Sequence, residues 1–388
     1  MKIVVAPDAF KDCLSAEAVC TALQNGITKA NPTAEVLCVP LADGGEGTAD
    51  CFAAATGGKR ISVQAQNAYG TPKTAQYILS ADRKTALVEM AQASGIQGID
   101  KNCLHTKNAS TYGTGELILH AVNKGAEHII VGLGGSATTD GGMGALAALG
   151  VRFLDMFGKE LPPIGAHMAK VAAIEVPNNP FFNGEIRFTY ACDVQNPFYG
   201  ETGAAFVFAR QKGATEAEIE ELDRGLRHLA VQYQMSFRRD IANLPSMGAA
   251  GGLCGGLFAA FGGTVQSGFE MLADLTDLEQ KIAAADLVLT GEGRTDRQTA
   301  FGKLPARVAT HAARHGAPCV LISGDIAPDF DATAAGFSAA IPLKSPEMTA
   351  AYSIAHAQEL LEEAIFTYLK KAKISEIKSS VSTECVKF

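Results

Sequence analysis

The sequence predicts a two-domain α/β protein, in which a doubly wound parallel-sheet domain is formed by both chain ends and a mixed α/β domain is inserted between them. Strand and helix signals alternate at both ends, and the strands there are short apolar runs that end in glycine or polar turns. The middle of the chain shows alternating strands with hairpin turns. We therefore expect residues 1–58 and 275–388 in one domain, residues 59–274 in the other, and the active site in the cleft between them.

The elements of the discontinuous domain follow from apolar periodicity and from capping residues. Ser15 is a typical N-cap for a helix that extends to about Lys29. The remaining predicted elements are strands over 3–6, 35–39, 287–290, 319–323 and 338–341, a helix over about 302–315, and a long C-terminal helix over about 349–371.

The inserted domain is predicted to begin with antiparallel hairpins over 59–92 and to contain a long helix capped by Thr215. The uncharged stretch 247–269 has eight glycines, few large side chains and no basic cluster at either end, which favours a tightly packed helix or loop over a membrane span. The other predicted elements are helices over about 115–124 and 142–149 and strands over 128–131, 151–155 and 188–192.

Composition excludes several classes of protein. A net charge of −8 argues against a nucleic-acid partner, and 19% charged residues, below the usual 25% or so, favour a closely packed enzyme. The nine cysteines contain no C-x-x-C pair, so we expect small buried apolar residues in a reducing cytosol, and the N-terminus lacks the apolar core of a signal peptide. We therefore predict a cytoplasmic protein with no membrane partner; the sequence carries no signal for an oligomeric state.

The glycine-rich stretch VGLGGSATTDGGMGALAALG (131–150) follows a predicted strand and resembles a ligand-binding loop. Gly132, Gly134 and Ala137 fit the dinucleotide pattern G-x-G-x-x-G/A, with Asp155 near the spacing of a ribose-binding acid. Against this interpretation, the helix begins only after about residue 142, and the carboxylate of Asp140 would repel a pyrophosphate. No Walker A motif is present, so any ATP must bind in another way.

Acidic residues recur at glycine-rich strand ends. One such acid usually caps a turn or a helix, but several together suit Mg²⁺, which prefers carboxylate oxygens plus substrate phosphates. Basic residues that could hold phosphates or a substrate carboxylate lie near the same loops. The acids are Asp8, Asp43, Glu46, Asp140, Asp193, Glu292 and Asp296, and the bases include Lys11, Arg294 and Lys303.

Six blocks in this order resemble the bacterial type I glycerate kinases: APDAFKDCLSA, PLADGGEGT, GLGGSATTDGGMG, ACDVQNPFYG, GAAGGL and LTGEGRTDRQTAFGK. The resemblance spans essentially the whole chain. It implies a Rossmann-like or flavodoxin-like domain, ATP and Mg²⁺, and phosphorylation of D-glycerate to 2- or 3-phosphoglycerate in organic-acid catabolism. The residues themselves suit such a phosphoryl transfer, because carboxylates can bind the metal while cations and backbone N–H groups stabilise the developing charge.

Roles follow as hypotheses from strand-end placement and from the matching blocks. Asp193 is expected to orient or deprotonate the attacking hydroxyl, Lys11 to stabilise charge, and Asp296 to take part in catalysis, with Glu292 and Asp193 as metal ligands. The expected substrate- and nucleotide-binding residues are Asp8, Asp43, Gly44, Gly45, Gly134, Gly135, Ser136, Asp140, Gly291, Arg294 and Lys303. The competing classes are an NAD(P)-dependent oxidoreductase and a non-catalytic nucleotide-binding protein.

Overall fold

The computed structural model describes residues 1–11, 13–45, 47–300 and 302–371. The strands in these ranges are β1 (Lys2–Val5), β2 (Glu35–Cys38), β3 (Lys59–Gln66), β4 (Pro72–Leu79), β5 (Thr85–Glu89), β6 (His128–Gly132), β7 (Arg152–Leu154), β8 (Ala173–Glu175), β9 (Arg187–Ala191), β10 (Thr264–Gln266), β11 (Leu287–Thr295), β12 (Cys319–Ile326) and β13 (Ala339–Pro342). The α-helices are α1 (Ala16–Ala30), α2 (Thr48–Thr56), α3 (Ala91–Ser94), α4 (Tyr112–Asn123), α5 (Met143–Ala148), α6 (Ala204–Phe208), α7 (Glu216–Phe237), α8 (Leu253–Phe261), α9 (Gly268–Leu275), α10 (Leu278–Ala283), α11 (Arg297–Ala300), α12 (Leu304–Arg314), α13 (Ala350–Ala355) and α14 (Ala357–Lys371).

The chain divides into two compact units. Unit 1 comprises residues 1–55 and 269–388, and unit 2 comprises residues 56–268. These boundaries differ by three and six residues from those expected from the sequence. The α/β fold class, with parallel sheets and helices, is confirmed.

Unit 1 contains a five-stranded sheet with the order β13-β12-β11-β1-β2, and every neighbouring pair is parallel. Ile3 and Val5 share a core with residues of α1 and α14, while α12 packs on β11 and β12. Val4 alternates with them and is also fully buried. Both faces of the sheet are therefore covered, as the continuous apolar strands predicted.

The helices of unit 1 begin and pack as their residues dictate. The Ser15 hydroxyl accepts a hydrogen bond from the Ala18 N–H at 3.2 Å, which confirms the predicted cap of α1. Gly26 brings α1 against α14, since a Cβ there would lie 2.4 Å from the Glu362 carbonyl oxygen. The single C-terminal helix was a wrong prediction: the helix is interrupted at His356, and Thr349 caps the shorter first segment.

Strand β11 runs five residues beyond the predicted end at Thr290, so GEGRT is extended strand and not a turn. Glycines explain the continuation. A Cβ at Gly291 would lie 2.3 Å from the Ile322 carbonyl oxygen, and one at Gly324 would lie 2.4 Å from the Gly293 carbonyl oxygen. Side chains at these positions would force β11 and β12 apart; without them the parallel pairing continues past the point where an ordinary strand would end.

Unit 2 contains a six-stranded mixed sheet with the order β10-β9-β6-β5-β4-β3. Strands β3 to β5 form the predicted antiparallel hairpins, whereas β5, β6, β9 and β10 run parallel. Helix α7 begins with a complete capping box, in which Thr215 and Glu218 each bind the other's backbone N–H. The apolar core joins the parallel strands to α4, α5, α7 and α8.

The uncharged stretch 247–269 forms a short 3-10 turn and the buried helix α8, followed by β10 and the start of α9. No helix within the described ranges combines the length and the apolarity that a membrane crossing needs. The prediction that the cysteines are buried was wrong for Cys38 and Cys103, which are exposed.

Candidate active site

A pocket of about 520 Å³ lies within unit 1, where the parallel strands end. Asp8 follows β1, Asp43 follows β2, and Glu292 is the sixth of the nine residues of β11. The carboxyl ends of parallel strands all meet at one edge of a sheet, which is the usual place for a ligand in such folds. The pocket contains seven of the predicted site residues: Asp8, Lys11, Asp43, Glu292, Arg294, Asp296 and Lys303.

Asp8 is held in place by backbone groups of β11 and of the residue that follows it. Its N–H donates to the Gly291 carbonyl at 2.8 Å, and its Oδ1 accepts from the Ala9 N–H at 2.7 Å. Burial raises the pKa of Asp8 to about 7; the carboxylates of Asp43 and Glu292 raise it further, while the hydrogen bond from the Ala9 N–H and the charge of Lys11 lower it. Asp8 is thus a carboxyl group that a bound cation would readily deprotonate.

Glu292 is 7% exposed and fixed by two threonine hydroxyls. Thr299 donates to its Oε1 at 2.6 Å, and Thr295 donates to the same oxygen at 3.0 Å. Burial raises the pKa of Glu292, while these two hydroxyls and Lys303 lower it. Because both hydroxyls bind one oxygen, the geometry leaves Oε2 as the oxygen that can serve a ligand.

Basic side chains border the same pocket. Lys303 lies 3.6 Å from Asp296 Oδ1, both half-buried, and Lys11 and Arg294 are exposed. Arg294 is two residues beyond Glu292 on β11, so both side chains project from the same face of that strand. The pocket therefore offers positive charge for phosphate or carboxylate oxygens and negative charge for a cation.

Three of the predicted binding glycines of unit 1 are explained by the backbone. Gly44 has a φ of +95°, and the Gly45 N–H donates to Asp43 Oδ1 at 3.2 Å, so the two shape the turn that presents Asp43. Gly291 is buried and allows the close strand pairing described above. Their contact with a ligand stays a prediction, and the predicted acid Glu46 lies outside the described residues.

In unit 2, the tip of the glycine-rich loop is accessible. Gly134 and Gly135 are exposed and Ser136 is half-buried. The loop leaves the end of β6, and the exposed residue Asp193 follows the end of the neighbouring strand β9 by two residues. The parallel register Gly132 to Ala191 places the two segments at the same edge of the sheet.

Asp140 differs from the other predicted binding residues, because it is completely buried. Its Oδ2 accepts from the N–H and the hydroxyl of Thr111, both at 2.7 Å, and from the Gly144 N–H at 3.1 Å; its Oδ1 accepts from the Gly142 N–H at 3.1 Å. The carboxylate thus ties the loop to the start of α4. This arrangement gives Asp140 a structural role in place of the expected contact with substrate or metal.

The dinucleotide interpretation fails on topology. Asp155 follows β7, which pairs with β8 in a separate two-stranded sheet and not with β6. Its Oδ1 accepts from the N–H groups of Phe157 and Lys159, so the side chain closes a surface turn. A ribose-binding acid would need to end the strand beside β6 in the same parallel sheet.

Sequence reasoning missed three residues near these sites. Asp325 and Lys344 line the pocket of unit 1. Asp325 ends the apolar run CVLISGD and follows the same rule of an acid after a strand, so it could have been found, whereas Lys344 carries no such signal. Lys212, the third, is 2% exposed beside the loop of unit 2, and only its burial makes it unusual.

Comparison with known proteins gives one consistent result. The model of the glycerate kinase family matches residues 3–371. The chain is 41% identical to a glycerate kinase of Bacillus cereus over 94% of this chain and 93% of that protein, and 40% identical to glycerate 2-kinase of Escherichia coli over 85% and 86%. A crystal structure of the Salmonella typhimurium LT2 protein assigned as glycerate kinase 2 has 39% identity and a TM-score of 0.86, covering 95% of this chain and 97% of that one. The chain therefore belongs to the glycerate kinase family.

Proposed function

We propose that the protein transfers the γ-phosphoryl group of ATP to a hydroxyl of D-glycerate, which yields phosphoglycerate and ADP. The observation that carries the proposal is the pocket of unit 1, where buried carboxyl groups and several cations meet at the carboxyl ends of parallel strands. Phosphoryl transfer needs this combination, because catalysis consists largely of positioning and of stabilising charge on the phosphoryl oxygens.

Lys11 and Arg294 supply that positive charge. Both side chains are exposed at the pocket, so they can reach phosphate oxygens without first breaking a buried contact. The Nζ of Lys303 lies 3.6 Å from Asp296 Oδ1. Lys303 would hold this carboxylate in place or release it to a ligand. These are electrostatic roles of the kind that preorganised donors play toward a developing negative charge.

Mg²⁺ fits the donor set of the pocket. Within the described ranges no three His, Cys, Asp or Glu side chains are grouped as a complete metal site. Magnesium in phosphoryl-transfer enzymes usually takes only one or two protein carboxylates and completes its shell with water and substrate phosphates. Glu292 and Asp8 would hold it, and when bound it would neutralise charge on the phosphate oxygens. Asp193, also expected as a ligand, belongs to unit 2.

Asp193 is the proposed group that orients or deprotonates the attacking hydroxyl. Its support is placement: it is exposed just after β9, where a ligand of a parallel sheet usually binds. Loss of a general base costs about 10² to 10⁴ in rate, so we expect Asp193→Asn to lose that much of kcat while keeping its thermal stability. Asp296→Asn is the comparison that separates the two candidates; near-normal turnover of a folded Asp193→Asn protein would transfer the role to Asp296.

The experiment for the function itself has two parts. ADP release is followed with ATP–Mg²⁺ and D-glycerate, and phosphorus NMR of the product identifies the phosphorylated hydroxyl. The Escherichia coli relative is named a glycerate 2-kinase, which supports the 2-hydroxyl for this chain as well. A thermal-shift screen with ATP–Mg²⁺, NAD(H), NADP(H) and glycerate provides the contrary outcome, since stabilisation by a nicotinamide cofactor alone would overturn the kinase proposal. A cytoplasmic location also stays a prediction.

A further inference from the structure

Lys212 is a buried lysine whose ammonium reaches the glycine-rich loop of unit 2. It ends a 3-10 turn, Arg210–Lys212, and is 2% exposed. Gly213 follows with a φ of +89°, and a Cβ there would lie 2.2 Å from the Leu104 carbonyl oxygen, so this turn is pressed against its neighbour. The close packing directs the lysine inward, although an ammonium normally remains in water because its burial is costly.

The hydrogen bonds of Lys212 go to neutral oxygens. Its Nζ donates to Ser136 Oγ and to the Thr138 carbonyl oxygen, each at 2.7 Å. Asp140 favours the charged form of the lysine from nearby, but the hydrogen bonds of that carboxylate go to Thr111, Gly142 and Gly144. The positive charge therefore stands directly behind the Ser136 hydroxyl.

Ser136 is partly accessible in a loop whose backbone is fixed by hydrogen bonds. The Gly135 carbonyl accepts from the Ile96 N–H at 2.9 Å, and the Ala137 N–H donates to the Ser94 carbonyl at 3.0 Å. Gly134 and Gly135 beside it are exposed. Since Ser136 Oγ already accepts a hydrogen bond from Lys212, its own O–H is available to donate a hydrogen bond to a ligand.

We propose that Lys212 is a positioning residue whose ammonium sets the Ser136 hydroxyl as a donor to an anionic oxygen of a substrate, the glycerate carboxylate or an ATP phosphate. This inference rests on the proposed function. Both ligands present the same chemistry, a carboxylate or phosphate oxygen, and a charged group one atom behind the donor strengthens that hydrogen bond. If Lys212 were neutral, the hydrogen bond that Ser136 donates would have no charge behind it, and the Nζ lone pair would compete with the ligand for the Ser136 O–H.

Ligand binding should therefore be coupled to protonation of Lys212. Burial lowers the pKa of Lys212 to about 7, and Asp140 opposes this effect. Tyr233, which donates to the Gly141 carbonyl from α7, stays neutral because burial raises its pKa. A bound anion favours the charged lysine and raises its pKa, so binding above pH 7 draws a proton from solution, and affinity falls as the pH rises through that range.

The test is calorimetric titration of the full-length protein with ATP–Mg²⁺ and with D-glycerate separately, at pH 7.5, in two buffers of different ionisation enthalpy. We expect one of the two ligands to bind with proton uptake in the wild-type protein. In Lys212→Met that uptake should disappear and the affinity and KM for the same ligand should weaken about 10- to 100-fold, the range of a charge-assisted hydrogen bond. Lys84→Met, which removes a surface lysine paired with Glu127, should retain both properties.

If Lys212→Met does not fold, Ser136→Ala provides the test. Ser136 is half-buried, and this substitution removes only the hydroxyl between Lys212 and the ligand. It should weaken the same ligand and abolish most of the proton uptake. Because Asp8 can release a proton when ATP–Mg²⁺ binds, the decisive quantity is the difference in proton exchange between wild type and variant. If neither ligand shows such a difference in either variant, the inference is overturned while glycerate phosphorylation stands. Failure of both ligands to bind the wild-type protein would overturn the proposed function and this inference with it.

Discussion

In unit 1, Asp8 and Glu292 border an open pocket of about 520 Å³, whereas in unit 2 Asp140 is completely buried and accepts four hydrogen bonds from protein groups. The three acids have similar sequence signatures, since each follows an apolar strand, and Glu292 and Asp140 also lie beside glycines. Burial raises the pKa of both Asp8 and Asp140, that of Asp8 to about 7, but Asp8 accepts a single backbone hydrogen bond, from the Ala9 N–H, whereas four donors stabilise the charged form of Asp140.

The contrast separates acids that are accessible to a ligand from acids whose oxygens are occupied by hydrogen bonds within the fold. A carboxylate whose acceptor sites are filled by backbone N–H groups contributes to the fold and has nothing left for a ligand. A carboxyl group kept partly desolvated, near other acids and facing a pocket, is destabilising until a cation or a proton arrives.

The Asp140→Ala substitution should be the most destabilising. It leaves the N–H groups of Thr111, Gly142 and Gly144 buried without their acceptor, and each such group costs about 1–3 kcal/mol. We expect a loss of about 3–5 kcal/mol in the free energy of unfolding, measured by urea denaturation. Asp43→Ala, which removes an exposed acid, should cost less than about 1 kcal/mol; equal losses would contradict the distinction.

Lys11→Met should act on turnover and not on stability. Lys11 is exposed at the pocket, and loss of one preorganised donor to a developing charge costs about 10²- to 10³-fold in kcat. Steady-state kinetics measures the loss of kcat, and the free energy of unfolding should remain within about 0.5 kcal/mol of the wild-type value. Lys29→Met removes a surface lysine of α1 that pairs with Glu362, and it should leave kcat unchanged.

Two glycines of the loop in unit 2 should respond differently to alanine. Gly141 has a φ of +63°, and its Cβ would lie 2.5 Å from Leu229 Cδ2, so Gly141→Ala should cost about 1–3 kcal/mol of stability. A Cβ at Gly134 meets nothing within 4 Å, and Gly134→Ala should stay within about 0.5 kcal/mol. Thermal melting of the two variants side by side checks this, and a Gly134→Ala protein as unstable as Gly141→Ala would show that the exposed tip is also structural.

Asp8→Asn should remove a pH dependence of stability. The folded pKa of Asp8 is raised from 3.8 to about 7, so the folded protein binds the proton more tightly than the unfolded chain, and wild-type stability falls as pH rises between these values. Each pKa unit corresponds to about 1.4 kcal/mol, but solvent screening at this partly exposed carboxyl reduces the full effect. Without ligand or metal, Asp8→Asn should therefore gain about 1–2 kcal/mol relative to wild type on going from pH 4 to pH 8. An unchanged difference across this range, measured by urea unfolding, would show that the pocket does not disfavour the charge.

Much of the parallel sheet of unit 1 could be predicted from local pattern. The strand near Ile3, the Ser15 cap and the apolar run from Cys319 are set by neighbours in sequence, and the structure contains them all. The extension of β11 and the break at His356 were missed, because both depend on packing partners far along the chain. Gly291 resembles a turn glycine until the carbonyl of Ile322 lies against it.

The candidate site divides in the same way. The residue types and their strand-end spacing placed Asp8, Asp43 and Glu292 at one sheet edge, since parallel strands bring their carboxyl ends together. They also supported membership of the glycerate kinase family, because six blocks in order are a specific pattern.

The sequence by itself determined the fold class, the family and the set of charged residues from which a phosphoryl-transfer site can be built. Only the tertiary structure decided what each charge does, because the protonation and the availability of a carboxyl or amino group depend on its burial and on its hydrogen-bond partners. Asp140 and Asp8 look alike in sequence, yet one is enclosed by four donors and the other faces a pocket. Nothing in the sequence distinguishes Lys212 from a surface lysine, but in the fold it is buried and its Nζ donates to Ser136 Oγ.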